Sequence, residues 1–266
     1  MRKIIVITSG KGGVGKTTTA INIGAAINQF GGDVVVIDAN LSTPNVGIHL
    51  NSPEVPVNLN HVLSKKAEVF EAVYEHVSGM KIIPSSLSLK ELKKIKPEAL
   101  KNYKKDFAKV ADYVIMDSSA GLGNEALAVI DVADEIIIVS NPEIPAITDA
   151  LKTIKLAQQM KKTVIGVIMT RVRKNDIEIQ PEVVREMLEI PIIGMIPEDS
   201  IIQEALSMKD AVVHTHPKSK PARAYKEIAA RLMGIKYDSN QDKETISDKL
   251  SKILKKFKIK KWKTRT

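Results

Sequence analysis

The sequence predicts an α/β fold with a mostly parallel central sheet flanked by helices, followed by a C-terminal basic amphipathic helix. Two observations carry this prediction. Continuous Val/Ile-rich runs alternate along the chain with stretches of helical periodicity, a pattern typical of parallel strands covered by helices on both faces. The first apolar run also leads directly into a glycine-rich loop and then into a helical stretch. With 266 residues, the chain is long enough for one large domain and a tail.

Seven apolar runs predict the strands, since each is short, rich in β-branched residues and bounded by polar or turn residues. They are residues 3–8, 33–38, 81–84, 113–117, 135–140, 164–170 and 192–196. The stretches between them predict helices near 17–30, 58–76, 97–109, 123–132, 145–160, 181–188, 198–208 and 221–233. We therefore expect one domain over residues 1–233, a polar linker over 234–244 and a basic tail over 245–266.

Residues 10–17 read Gly-Lys-Gly-Gly-Val-Gly-Lys-Thr and lie between the first strand and the first helix. This is a P-loop, in which glycines let backbone N–H groups surround phosphates. Lys16 is expected to contact the terminal phosphates and Thr17 to bind Mg²⁺. The predicted nucleotide-binding residues here are Gly10, Lys11, Gly12, Gly13, Val14, Gly15, Lys16, Thr17 and Thr18.

The second lysine of the loop, Lys11, gives the motif the form of a deviant Walker A, and the segment resembles that of the MinD/ParA family of ATPases. The resemblance implies ATP and ADP as ligands, Mg²⁺ as cofactor and a homodimer that forms on ATP binding. In that family the early lysine reaches the partner's nucleotide, which would let Lys11 stabilise the charge on the transferred phosphoryl group. A solvated loop lysine is the alternative.

Two further strands end in acidic residues. Residues 34–40 end in Asp38-Ala39-Asn40, and residues 113–117 end in Asp117. The resemblance implies that Asp38 and Asp117 lie at the Mg²⁺ shell and that the position of Asn40 orients the attacking water. Relatives commonly have Asp there. Because an amide cannot take a proton or supply a full charge, Asn40 predicts slow hydrolysis. The alternative is that Asn40 only caps the following turn.

Later segments resemble the base-binding side of the family. They supply Asn141 after a central strand, Arg171 after the next, and the Pro197-Glu198-Asp199 loop. Thr170 replaces the usual Asn of relatives. ATP rather than GTP is expected from the resemblance, since no Asn-Lys-Xaa-Asp motif is evident.

The net charge of +9 is unevenly distributed. Residues 243–266 hold ten basic and two acidic residues, so eight of the nine charges lie there. The segment also has a helical apolar stripe, which indicates a helix lying on an anionic membrane; its predicted membrane-contacting residues are Ile246, Leu250, Ile253, Leu254, Phe257 and Trp262. A partner protein or nucleic acid is the alternative ligand of this tail.

These features predict a MinD-like ATPase that dimerises on ATP, binds the inner face of the cell membrane peripherally, and positions a cell-division or other partner. A ParA-like DNA partition ATPase and a nucleotide-binding scaffold with very slow hydrolysis are the alternatives. The chain has no cysteine, which argues against iron–sulfur relatives. No signal peptide or spanning segment is evident, so a cytoplasmic location is expected. The five histidines show no metal-site spacing, and residues 214–216 are expected in a solvated loop.

Overall fold

The computed structural model describes residues 2–92, 95–173, 178–239 and 242. Its strands are β1 (Lys3–Ser9), β2 (Val34–Ala39), β3 (Tyr74–Glu75), β4 (Lys81–Ile83), β5 (Tyr113–Ala120), β6 (Glu135–Ser140), β7 (Thr163–Val172) and β8 (Ile192–Pro197). Its α-helices are α1 (Lys16–Gln29), α2 (Val46–His49), α3 (Leu59–Leu63), α4 (Leu89–Leu92), α5 (Lys104–Val110), α6 (Asn124–Val132), α7 (Ile144–Gln159), α8 (Pro181–Leu188), α9 (Ser200–Ser207), α10 (Val212–Thr215) and α11 (Lys220–Met233). Two 3₁₀ helices span Val69–Ala72 and Pro97–Tyr103.

In the described ranges the strands form one sheet in the order β3-β4-β2-β5-β1-β6-β7-β8. Only the edge pair β3–β4 is antiparallel among these pairings. The parallel arrangement brings the carboxyl ends of β1, β2 and β5 to the same edge of the sheet, where ligands of such folds bind. The predicted α/β fold with a mostly parallel, helix-flanked sheet is thus confirmed.

The sheet has a hydrophobic layer on each face, because successive strand residues point to opposite sides. Along β1, Ile4 and Val6 pack into the layer covered by α5, α6 and α7. Ile5 and Ile7 pack into the layer covered by α1 and α11. All four side chains are at most 1% exposed, which explains why this strand is an uninterrupted apolar run rather than an alternating one.

The prediction of a single helix over residues 58–76 is wrong. An Asn58–His61 capping box starts α3, but Lys65 takes a left-handed conformation with φ 58° and ends this helical segment. A 3₁₀ helix and strand β3 follow. The predicted helix over 97–109 likewise divides into a 3₁₀ helix and α5, which meet at Lys104.

Three four-residue helices and the two-residue strand β3 were not predicted, since elements this short carry no periodicity. One of them, α10, corrects the expectation for residues 214–216. His214 lies in α10 and His216 ends it, and their side chains are only 16% and 15% exposed. These histidines therefore lie in packed structure, not in a solvated loop.

Helix α11 ends at Gly234, which is left-handed with φ 68°, a common helix terminator. The described part of the predicted linker contacts the domain: the Tyr237 ring lies 5.3 Å from that of Phe30, and Asp242 pairs with Lys226 at 2.8 Å. The predicted tail helix and its six membrane-contacting residues lie outside the described residues. Within the described ranges, no helix has both the length and the apolar character that crossing a membrane requires.

Candidate active site

The P-loop connects β1 to α1 through backbone conformations that favour glycine. Gly13 and Gly15 have φ values of 76° and 91°, in the left-handed region where a side chain is strained. Gly15 precedes α1, and among the described side chains none caps this helix start. The first N–H groups of α1 therefore stay available for an anion, and the helix dipole favours negative charge there.

Gly10 fixes the loop against helix α7. A Cβ atom at this position would lie 2.3 Å from the carbonyl oxygen of Asp149, far inside van der Waals contact. On the other side, the Gly121 N–H donates to the Ser9 carbonyl at 3.0 Å. This bond ties the loop after β5 to the start of the P-loop.

The two lysines of the P-loop have opposite environments. Lys16 is 8% exposed, and burial lowers its pKa while the Asp117 carboxylate acts in the opposite direction. The Lys11 side chain is 47% exposed, and its Nζ lies 3.9 Å from Glu143 Oε2 at the start of α7. Lys16 therefore points into the chain's own site, whereas Lys11 lies on the surface beside it.

Asp38 and Asp117 are direct neighbours in the sheet, since they are register partners of β2 and β5. Both residues are fully buried. Thr17 donates to Asp117 Oδ2 at 2.5 Å. The other oxygen, Asp117 Oδ1, is buried and has no hydrogen-bond partner among the described residues. An unpaired buried carboxylate oxygen beside a threonine hydroxyl fits a hard divalent cation, which prefers oxygen ligands.

The electrostatics of this pair support the same fit. Burial raises the pKa of Asp117, while the Thr17 hydrogen bond and Lys16 oppose the shift. Burial and the charge of Asp117 raise the pKa of Asp38, against three backbone donors. The Lys16 ammonium thus offsets part of the charge of Asp117. Thr17 and Asp117 would hold Mg²⁺ here, and the cation would supply charge stabilisation for phosphate oxygens.

Asp38 also organises the segment that follows β2. Its Oδ2 accepts the N–H groups of Asn45 and Val46 at 2.8 and 2.9 Å, and its Oδ1 accepts that of Asn40 at 3.3 Å. The carboxylate therefore closes the loop over residues 40–46 and holds the start of α2. Asp38 was predicted as a metal ligand together with Thr17 and Asp117, but in this arrangement both of its carboxylate oxygens accept backbone N–H groups. Its role as a ligand stays a prediction.

The Asn40 side chain is engaged in a turn. Its amide nitrogen donates to the Thr43 carbonyl at 2.7 Å, and its oxygen lies 3.1 Å from Thr43 Oγ1. This is the turn-capping arrangement that the sequence left as an alternative. A role for Asn40 in orienting water stays a prediction.

A contact that the sequence analysis missed fixes the same loop to the opposite segment. Ser42 donates to Glu125 through its backbone N–H, at 3.0 Å, and through its hydroxyl, at 2.5 Å. Glu125 lies in the first turn of α6, which follows the loop after β5. The loops that follow the two acidic strands are thus joined by a charged hydrogen-bonding group.

Beyond the P-loop lies a cavity of about 230 Å³ that is lined by both apolar and polar side chains. It brings together the predicted residues Val14, Gly15, Thr18, Arg171, Pro197, Glu198 and Asp199, and adds Thr170, Ile196, Ile202, Gln203, Leu206 and Tyr225. A planar base can enter such a pocket next to a phosphate-binding loop. Asp199 also caps α9 by accepting the Ile201 N–H at 3.0 Å.

Besides lining the cavity, Thr170 makes a hydrogen bond to the P-loop. Its hydroxyl lies 2.6 Å from the Val14 carbonyl oxygen and 2.7 Å from Asn141 Oδ1. Both Thr170 and Asn141 are at most 8% exposed. The structure therefore places the predicted base-binding residue Asn141 behind the loop, where it helps to position Val14.

Comparison with known proteins agrees with this geometry. Residues 5–212 match the model of the CobQ/CobB/MinD/ParA nucleotide binding domain. The chain belongs to the MinD/ParA family of P-loop ATPases. An uncharacterised ATP-binding protein of Methanocaldococcus jannaschii is 38% identical over 251 residues, which cover 94% of this chain and 95% of that protein.

Solved structures in the family are similar over most of their length. The septum site-determining protein MinD of Pyrococcus horikoshii, complexed with Mg-ADP, is 30% identical with a TM-score of 0.84, covering 87% of this chain and 96% of that one. MinD in the MinC:MinD cell division protein complex of Aquifex aeolicus is 29% identical with a TM-score of 0.80, covering 89% and 97%. The family recognised from the P-loop is thus confirmed, and its members are ATPases.

Several residues that line the cavity or hold the loops beside the P-loop were not predicted from the sequence. Ile202 and Leu206 carry the weak signal of i, i+4 spacing on α9, just after the Pro-Glu-Asp loop. Tyr225 reaches the cavity from α11, and Glu125 reaches Ser42 from α6. No local pattern marks either, because each acts on a segment that is distant along the chain.

Proposed function

We propose that this protein is a MinD-like ATPase that dimerises on ATP binding, associates with the membrane through its C-terminal tail and positions a partner, with hydrolysis releasing it. The observation that carries the proposal is the contrast between the two P-loop lysines. Lys16 is buried in the chain's own site, whereas Lys11 is half exposed at its rim. A charged side chain on the nucleotide face is available to a second copy.

The surface around Lys11 supports a face-to-face dimer. Ile144 is 59% exposed and Leu122 is 39% exposed, and they adjoin Glu143 and Gly121, which contact the P-loop segment. Exposed apolar side chains next to charged ones are typical of association surfaces. When the second copy binds ATP, the negative charge of its phosphates would give Lys11 a partner.

The dimer is tested by light scattering of the full chain with Mg²⁺ and a non-hydrolysable ATP analogue or ADP. We expect a dimer with the ATP analogue and a monomer with ADP. Lys11→Ala should stay monomeric while it still binds ADP. Lys155→Ala is the matched control, since it removes an exposed lysine that pairs with Glu189 at 3.0 Å, away from the P-loop. A monomeric wild-type chain with saturating analogue would contradict the proposal.

Membrane association rests on the pattern of the tail. Residues 243–266 carry eight net positive charges together with an apolar stripe, and each Lys or Arg near an anionic surface contributes about 1 kcal/mol. One such helix is a weak anchor, but two on one dimer bind with avidity. Dimerisation would then control attachment to the membrane.

Co-sedimentation with vesicles tests this step. With the ATP analogue, the full chain should sediment with phosphatidylglycerol-containing vesicles and not with pure phosphatidylcholine. Leu250→Glu, on the apolar stripe, should abolish sedimentation, whereas Lys249→Glu changes charge without breaking the stripe and should weaken it less. If the protein is instead retained only by duplex DNA, the ParA-like partition function replaces the membrane function.

A scaffold with very slow hydrolysis is the second candidate, and the engagement of Asn40 with Thr43 favours it. An amide held in a turn can neither take a proton nor lend charge to water. Phosphate release by the wild type and by Asn40→Asp separates the cases. If the aspartate leaves the turnover rate unchanged, Asn40 does not limit hydrolysis.

The partner is proposed only as a regulatory or cargo protein. Support comes from the MinC:MinD complex of the Aquifex aeolicus relative. A pull-down with the Lys11→Ala variant as control would show whether any bound protein requires the dimer. If the wild type and Lys11→Ala bind the same protein equally, recognition of that partner does not require the dimer.

A further inference from the structure

Three side chains that are distant in the sequence meet away from the nucleotide site. His76 lies between β3 and β4, whereas Asp210 lies between α9 and α10 and His214 lies within α10. The P-loop follows the carboxyl end of β1. Because β4 runs parallel to β2, a residue before β4 lies near the opposite end of the strands, where they begin. The cluster is therefore separate from the residues that surround Asp117.

The cluster has the composition of a metal site. One ligand atom from each of the three side chains lies within 4.8 Å of the other two. His214 Nδ1 is 2.8 Å from Asp210 Oδ1, and His76 Nε2 is 3.8 Å from the same oxygen. The ligands of a tetrahedral zinc ion lie roughly 3.3–3.5 Å apart. Side-chain shifts of about 1 Å would thus bring all three to one ion.

The two histidine rings are already arranged side by side. They are nearly parallel, at 10°, with centroids 5.7 Å apart. Their side chains are only 10% and 16% exposed, and that of Asp210 is 24% exposed. Burial lowers the pKa of His76, although Asp210 opposes this. A neutral, partly buried imidazole is the form that ligates metals.

A supporting residue is present for His76. Its Nδ1 lies 3.0 Å from the Ser78 hydroxyl oxygen. When Nε2 of a histidine binds a cation, Nδ1 carries the ring proton and usually donates it to a neighbouring oxygen. In the structure the Ser78 backbone N–H donates to the same Nδ1 at 3.3 Å. Zinc at Nε2 would therefore break this bond, and Nδ1–H would donate to the Ser78 hydroxyl instead.

We propose that His76, Asp210 and His214 bind a zinc ion that fastens the β3–β4 turn to the α9–α10 connection. Two imidazoles and a carboxylate suit zinc among the divalent metals, and the chain offers no thiolate. Three protein ligands leave a position for water. The ion would act on stability, since it joins two segments that are otherwise far apart along the chain.

Zinc titration of the full chain against a chromophoric chelator tests the site, with Mg²⁺ and ADP present to fill the P-loop site. We expect the wild type to bind one more equivalent of zinc than Asp210→Asn, which preserves the side-chain shape and the acceptor for the Ala211 N–H. His76→Ala should lose the same equivalent. His216→Gln is the matched control and should retain it, since it removes a nearby histidine that is outside the cluster.

Thermal unfolding gives a second readout. Zinc should raise the melting temperature of the wild type and of His216→Gln but not that of Asp210→Asn, because a ligand that binds only the folded state stabilises it. Retained ADP binding by each variant shows that it has folded. Equal zinc stoichiometry in the wild type and Asp210→Asn, or no competition with the chelator by the wild type, would overturn the proposal and leave a hydrogen-bonded carboxylate cluster.

Discussion

The packing of Gly10 against α7 leads to a sharp prediction about stability. A Cβ at Gly10 would lie 2.3 Å from the Asp149 carbonyl oxygen, 2.5 Å from its carbon and 2.7 Å from Asp149 Cβ. Ordinary carbon contacts begin near 3.4 Å, so the P-loop and α7 must separate by about 1 Å to admit the methyl group. Two of the three obstacles are backbone atoms, which cannot rotate away.

We therefore expect Gly10→Ala to cost about 3 kcal/mol, the upper end of the usual overpacking penalty. For a domain of this size, this corresponds to a fall in melting temperature of roughly 6–12 °C. The matched control is Gly12→Ala in the same loop. Its Cβ would meet only the Ala120 Cβ, at 4.0 Å, and its φ needs no glycine.

Denaturant and thermal unfolding of both variants without nucleotide would measure the difference, so that effects on phosphate binding do not enter. Gly12→Ala should lie within about 0.5 kcal/mol of the wild type, as substitutions without a clash do. ADP affinity should then fall in Gly10→Ala, because the loop is displaced. If Gly10→Ala and Gly12→Ala are equally stable, the clash at Gly10 does not lower the free energy of unfolding, and α7 can shift without cost to admit the methyl group.

Three further predictions follow from other contacts. Thr17→Val removes the hydroxyl beside Asp117; calorimetry should show that Mg²⁺ no longer strengthens ADP binding, and a retained Mg²⁺ effect of wild-type size would show that the hydroxyl is not a ligand. Glu125→Ala removes both acceptors of Ser42, so amide hydrogen exchange in residues 40–46 should become faster, and unchanged exchange would mean that the contact does not hold this loop. Burial raises the pKa of Tyr225 to about 12, above its unfolded value near 10. The stabilisation of the folded state that comes from this pKa difference is thus fully present below pH 10 and is lost as the pH rises towards 12. Over that range the wild type should lose about 2–3 kcal/mol more stability than Tyr225→Phe, and parallel curves would contradict it.

Features that lie within one continuous segment could be predicted from the sequence. The P-loop is such a feature, since its glycine conformations and the flanking strand and helix are encoded by neighbouring residues. The seven parallel strands are another, because burial on both faces requires an uninterrupted apolar run, as in residues 3–8. Lys16 and Thr17 lie within the same loop, so the sequence could propose their roles, whereas the role of Asp117 was proposed from the family resemblance.

Contacts between residues that are distant along the chain depend on the tertiary structure. Sheet order and register set Asp38 directly beside Asp117, and they left the second oxygen of Asp117 without a partner among the described residues. The packing of helices on the sheet brought Glu125 to Ser42, and it brought His214 to His76. Periodicity reports only which face of an element is buried, not which element lies against it. Contacts between elements therefore depend on the packing of the whole domain, which no single segment encodes.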